Sequence, residues 1–176
     1  MTINLLSLDT QLQKKLILLL DRCGAHGFAM RPFFAVRTPL QQAALWRQSR
    51  SIEEISATIR DLRGKKATYL AGCLEKVGAQ PDHKHGVVTN ALPGLSWHNW
   101  GQAVDCVHIS AEGKAIWQGM AYDVYAAEAI KLGLTAGHYW KMRDSVHVQL
   151  PMASSPLGQY QLLEINDIME ERFGTI

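Results

Sequence analysis

The sequence predicts an α+β fold: a small antiparallel sheet that carries a cluster of metal-type ligands and is covered by helices. Three patterns predict it. Residues Gln102 to Ser110 alternate with period two, Ala111-Glu-Gly-Lys114 reads as a hairpin turn, and several flanking segments repeat apolar residues at helical spacing.

In chain order, Leu12, Leu16, Leu19 and Leu20 share one face of a helix from about Asp9 to Cys23, with Gly24 as its stop. Gly27 then opens a strand over Phe28 to Val36, and Pro32 marks it as an edge strand or a broken one. Thr38-Pro39-Leu40-Gln41 is a capping box with proline at the first helical position, so a helix runs from Pro39 to Arg50 and Arg37 sits at a strand-to-helix junction. Ser51-Ile52-Glu53-Glu54 is a second box, starting a helix to about Leu62. A further helix covers Ala67 to Val77 and ends near Gly78. Ala79 to Trp97 reads as loop. A strand begins after Gly101, the hairpin returns through Ala115 to Trp117, and a helix from Ala121 to Leu132 covers the sheet. Gly133 to Tyr139 leads back to a strand over Val146 to Leu150. The last helix, about Gln159 to Phe173, turns Leu162, Ile165 and Met169 to one side and is read as packing.

Within the strand after Gly101, Val104, Cys106 and His108 share one face, and Ala103, Asp105 and Val107 the other. Asp105 therefore projects away from the neighbours that pack inward. His108, three positions on, points to the opposite side and drops out as a co-ligand. His98, in an irregular segment before Gly101, folds back towards Asp105, and His147 in the strand His147-Val-Gln-Leu150 completes a set of two imidazoles and one carboxylate. Three such ligands leave a tetrahedral zinc one open position for water, which means hydrolysis rather than structural bracing. Asp144, placed in the loop before that strand, stays beside the metal without binding it and is the candidate general base.

Ser96-x-His-x-x-Gly-x-Ala-x-Asp105 and Asp144-x-x-His147 resemble the two signatures of the zinc D-alanyl-D-alanine carboxypeptidases and L-alanyl-D-glutamate endopeptidases, the VanY-like peptidases of peptidoglycan stems. Val87-Val-Thr-Asn-Ala91 with Pro93-Gly94, and Trp140-Lys141, stand before them as in members from phage lysis systems. Arg37-Thr38-Pro39 with Gln42, Leu45 and Gln48 resembles the family's arginine-containing segment, so the likeness runs from about residue 28 onward. The resemblance implies that His98, Asp105 and His147 bind zinc and that Asp144 is the base. It also implies that Arg37 holds the scissile carbonyl or its oxyanion, and that Ser96 contacts the substrate's polar end. A permanent cation aimed at developing negative charge favours the transition state over the ground state.

Length and composition fit one catalytic domain over residues 1–176, with a helical insertion at about 51–80. The apolar run Leu16 to Leu20 is interrupted on its N-terminal side by charges and followed by no cleavage site, so neither a signal peptide nor membrane insertion is expected. Cys23, Cys73 and Cys106 match no disulfide framework, and synthesis in a reducing cytoplasm follows, with action on the wall after release. A net charge of +2 is too weak to argue for nucleic acid. A monomer is expected. His83 and His85 resemble a chelating pair, but in a polar loop bounded by glycine they read as solvated. Trp97 and Trp100 read as wedges for the metal loop before they read as substrate contacts.

The expected function is zinc-dependent hydrolysis of the peptidoglycan stem peptide between L-alanine and D-glutamate, as a phage-type endolysin. The alternatives are a D-Ala-D-Ala carboxypeptidase or dipeptidase, and a binding module that keeps zinc without turnover. Asp144 speaks against the last, since a relic has no use for a poised carboxylate.

Overall fold

The computed structural model describes residues 4–84 and 86–174. Its elements run α1 (Thr10–Ala25), β1 (Met30–Phe34), α2 (Pro39–Arg47), α3 (Ile52–Gly64), α4 (Thr68–Lys76), α5 (Trp97–Trp100), β2 (Ala103–Ile109), β3 (Ala115–Ile116), α6 (Met120–Lys131), β4 (Thr135–Ala136), β5 (His147–Gln149) and α7 (Leu162–Phe173). The fold is α+β with an antiparallel sheet. Two compact units divide the chain: residues up to Val36 with Trp100–Met152, and Arg37–Asn99 with the residues from Ala153 onward.

The first unit holds the sheet, in the order β1-β2-β5-β4, with β3 also pairing β2. All its ladders are antiparallel. β2 pairs Ala103 with Gln149, Val104 with Val148 and Asp105 with His147, so a single register fixes which side chains share a face. Val104, Cys106, Val148 and Ala136 are buried in one apolar cluster with Leu12, Leu16, Leu19 and Cys23 of α1 and Tyr122, Tyr125 and Ala129 of α6. Asp9 caps α1 by accepting from the amides of Gln11 and Leu12. Contrary to the expectation of a stop at Gly24, α1 runs through it. The turn falls at Gly27 (φ +84°), whose amide donates to Gly24 O while that of Phe28 donates to Cys23 O. This paired closure needs the left-handed conformation three residues later than the first glycine. β1 is an edge strand, as Pro32 required, and its register slips between Pro32 and Phe34.

The second unit is helical. The Thr38 capping box forms as expected, with Gln41 answering Thr38, but α2 ends at Arg47 rather than Arg50 because Ser49 turns left-handed (φ 58°). Ser51 caps α3 through the amide of Glu54. α4 has no side-chain cap of its own. Asn166 of α7 supplies one, its buried Oδ1 accepting from the amides of Tyr69 and Leu70 at 2.9 and 3.2 Å. Gly94 (φ +78°) lies so close to α7 that a Cβ there would meet Ile165 Cγ2 at 2.8 Å.

All the cysteines, Cys23, Cys73 and Cys106, are buried free thiols. Burial first, and for Cys23 the charge of Glu128 as well, raises them to about 11, 12 and 12 respectively. Among the described residues no helix is long and apolar enough to cross a membrane.

Candidate metal centre

The period-two pattern of β2 sends Asp105 to the face opposite the core, and β5 brings His147 directly across from it. His147 Nδ1 lies 3.1 Å from Asp105 Oδ1, and both side chains are buried. The other ring nitrogen, Nε2, donates to Gln149 Oε1 at 3.0 Å. That bond fixes the imidazole's orientation and leaves Nδ1, with its lone pair, aimed at the carboxylate. Two lone-pair atoms held this close need a positive charge between them, supplied either by a proton on Nδ1 or by a metal ion. Burial, the largest influence, pulls the His147 pKa down, but the hydrogen bond and charge of Asp105, the charge of Asp144 and the Gln149 bond hold it above 6.5.

His98 reaches the same place along a short stretch of chain. The expectation of an irregular segment fails here: His98 lies in α5, a single turn, with Ser96 at its start. The Ser96 hydroxyl accepts from the His98 amide at 3.4 Å and the Ser96 carbonyl from the Asn99 amide at 2.9 Å, a local alternative to loop that Ser favours. Gly101 (φ 74°) turns α5 into β2, and its carbonyl accepts from the Asp9 amide at 2.8 Å. His98, Asp105 and His147 each offer one ligand atom, and these atoms all lie within 4.8 Å of one another. Two nitrogens and one oxygen in a buried cluster of this size fit a divalent zinc site with a remaining open position. His108, on the other face, meets the Phe28 ring edge-on at 5.6 Å and takes no part. His83 is exposed and bonded through its backbone to Ser49. His85 lies outside the described residues.

Asp144 sits in the loop before β5, as expected, and is tied down closely. Its amide donates to Gly137 O at 3.0 Å, and its carbonyl accepts from the His147 amide at 3.3 Å. Gly137 has room for no side chain, since a Cβ would lie 2.6 Å from Asp144 O and 3.2 Å from His147 Cβ. Beside it, buried His138 joins Ser145 Oγ to Nδ1 at 3.0 Å and Asp123 Oδ1 of α6 to Nε2 at 3.1 Å. The segment that presents Asp144 is thus clamped from both ends. Trp140 tilts against the His147 ring, centroids 5.0 Å apart.

Arg37 is positioned by its own unit. Its amide donates to His98 O at 3.2 Å, and its carbonyl accepts from Asn99 Nδ2 at 2.7 Å, so its backbone is laced to the ligand-bearing turn. Its guanidinium donates through Nη1 to Gln42 Oε1 at 2.9 Å. Gln42, fully buried, is itself held by donating Nε2 to Ala91 O at 2.7 Å. Trp97 is buried and donates Nε1 to Ala153 O at 2.7 Å, the wedge rather than the substrate contact. Sequence patterns alone give no role to Gln149, Asn99 or His138. A signal existed for Gln149 alone, a polar residue two positions after His147 and so on the same face.

The VanY family, described as D-alanyl-D-alanine carboxypeptidase, matches residues 5–144. The chain belongs to the VanY family. As a member it is a peptidase that acts on peptidoglycan, and the matched span includes His98, Asp105 and Asp144. No curated protein sequence matches it. Among solved structures, the *Serratia marcescens* L-Ala D-Glu endopeptidase ChiX is similar at 17% identity, covering 84% of this chain and 83% of that one, with a TM-score of 0.43. A mutant of the vancomycin resistance D,D-pentapeptidase VanY from a VanB-type cassette, in complex with Zn(II), shares 15% identity over 95% and 80% of the chains, with a TM-score of 0.48. The L,D-carboxypeptidase DacB from Streptococcus pneumonia shares 17% identity over 96% and 78%, with a TM-score of 0.43.

Proposed function

We propose that this VanY-family peptidase is a zinc metalloenzyme that cleaves the L-alanyl-D-glutamate bond of peptidoglycan stems, as a phage-type endolysin. The observation that carries the catalytic part is the meeting of His98, Asp105 and His147 within 4.8 Å. The supporting observation for the bond is the likeness of the Val87–Ala91 and Trp140-Lys141 segments to phage lysis enzymes. His98, Asp105 and His147 would hold the ion. Zinc bound there would act as a Lewis acid and lower the pKa of water to roughly 7.

The chain's own groups do the rest. Asp144 takes the proton from water as the new C–O bond forms and returns it to the departing amine as the C–N bond breaks. Arg37, steadied by Gln42, places its guanidinium towards the oxyanion that develops on the carbonyl. Ser96 contacts the polar end of the substrate while its hydroxyl orders α5. The buried free thiols support synthesis in a reducing compartment, with the wall reached after release.

Digesting purified peptidoglycan with and without a zinc chelator, followed by mass spectrometry of the new termini, tests the reading. New L-alanine C-termini that vanish with chelator are the expected result. Released D-alanine would instead select a D-Ala-D-Ala carboxypeptidase, the reading that the family description favours. No new termini of either kind would leave a zinc-holding binding module.

A further inference from the structure

Three aromatic side chains of the first unit, Phe33, Phe34 and Trp117, pack on one another yet remain 45%, 42% and 51% exposed. Phe33 stands at the centre, its ring 5.1 Å from Phe34 at 90° and 5.1 Å from Trp117 at 86°. Strand register places this trio on the metal face. Phe34 pairs with Asp105, so the two side chains leave the sheet on the same side. Ile116 pairs with His108, whose side chain belongs to the opposite face, so the next residue, Trp117, turns back to the face of Asp105 and Val107. Alternation from Pro32, which pairs with core-facing Cys106, sends Phe33 to the metal face and would send Phe34 to the core; the register slip between Pro32 and Phe34 instead pairs Phe34 with Asp105 and keeps it on the metal face. Without the slip, Phe33 and Phe34 would diverge. With it, they make one surface that begins beside a metal ligand.

We propose that Phe33, Phe34 and Trp117 form a stacking platform for the glycan strand from which the stem peptide hangs, an inference that rests on the endopeptidase reading above. Aromatic faces carry partial negative charge and accept the C–H groups of a pyranose ring. The exposed part of three such side chains comes to the order of 300 Å². That area suits one or two sugar rings and falls well short of the roughly 800 Å² per partner of a stable protein interface.

Bond position decides whether a sugar reaches it. In an L-alanyl-D-glutamate cleavage only one residue separates the scissile bond from the lactyl group of the sugar, about 3.5 Å of extended chain. Opposed residues on a ladder have Cβ atoms about 5 Å apart, so rings beside Asp105 stand where that sugar would lie. In a D-Ala-D-Ala cleavage four residues intervene, roughly 14 Å, and the sugar passes beyond the trio.

The test uses the zinc-loaded full chain and its Phe33→Ala/Trp117→Ala double variant, with zinc content and thermal midpoint recorded for both. Retention on peptide-free glycan strands, made by stripping sacculi with an amidase, is the first measurement and needs no catalysis. Wild type retained, with the double variant at least 10-fold weaker and Phe33→Tyr/Trp117→Phe restored to near wild type, is the expected result. Equal retention of wild type and double variant, retention of neither, or wild-type partition onto anionic lipid vesicles rather than glycan would overturn it. The second measurement compares kcat/KM on a disaccharide-bearing muropeptide with that on the sugar-free stem peptide. The wild-type ratio is expected at 10 or more and is expected to fall towards 1 in the double variant. A wild-type ratio of 1 would overturn the platform. Cleavage of neither substrate, with glycan retention intact, would instead remove the endopeptidase reading and keep the glycan site.

Discussion

The two faces of the β2–β5 ladder share one backbone and one register but are built for opposite ends. On the inner face Val104, Cys106 and Val148 have no solvent exposure and belong to the apolar cluster they share with residues of α1 and α6. On the outer face, one residue along, Asp105, His147 and Gln149 are also buried, yet each is polar and bonded to the next. Burial alone therefore does not distinguish core from site; the chemistry of what is buried does. The inner face gains from removing apolar surface from water. The outer face sets two lone-pair atoms against each other and relies on a cation to reconcile them.

Removing Asp105 or His147 should give the largest effect. Asp105→Ala and His147→Ala are expected to bind no zinc at stoichiometric metal and to lose about 10⁴-fold or more in turnover, read by elemental analysis and a peptidoglycan assay. Asp144→Asn separates base from ligand. Its expected loss is about 10³-fold in kcat with one zinc still bound, and full activity would reassign the base. Gln149→Leu keeps all three ligands but releases the His147 ring, so zinc affinity should weaken by about 10- to 100-fold in a chelator competition while saturating zinc restores most of the turnover.

The inner face should respond the other way. Val104→Ala is expected to lower stability by about 2 kcal/mol, seen as a lower urea midpoint, with zinc stoichiometry unchanged. The smallest effect concerns pH. In the metal-free protein the raised His147 pKa means that the protonated imidazole stabilises the fold, fully below its unfolded value near 6.5, and that this stabilisation fades as pH rises through the higher folded value. Zinc needs the neutral ring. The thermal midpoint gained on adding zinc should therefore grow steadily from pH 5 to pH 8.

Much of this arrangement was legible before the structure. Alternation after Gly101 assigned Asp105 and Cys106 to opposite faces, and the Thr38 capping box placed the start of α2 to the residue, because both are local rules with short range. Helix ends were less legible: Gly24 is passed over and Gly27 used, since a glycine permits a left-handed turn without requiring one at that place. The supports of the site were hidden for a different reason. Gln42 reaches Arg37 across one helical turn but is fixed by the distant Ala91, and His138 finds Ser145 and Asp123 from separate elements. No periodicity encodes such pairs. The turn of α5 was also misread, where Ser96 opens a helix that the surrounding loop composition concealed.

The thiol of Cys106 occupies the strand position directly after the candidate ligand Asp105, its pKa raised to about 12 by burial. At neutral pH almost none of it is ionised, so the strongest soft donor near the site is silent towards metals and oxidants alike. A buried thiol held neutral in this way can stand behind a polar, ligand-bearing face without a disulfide partner.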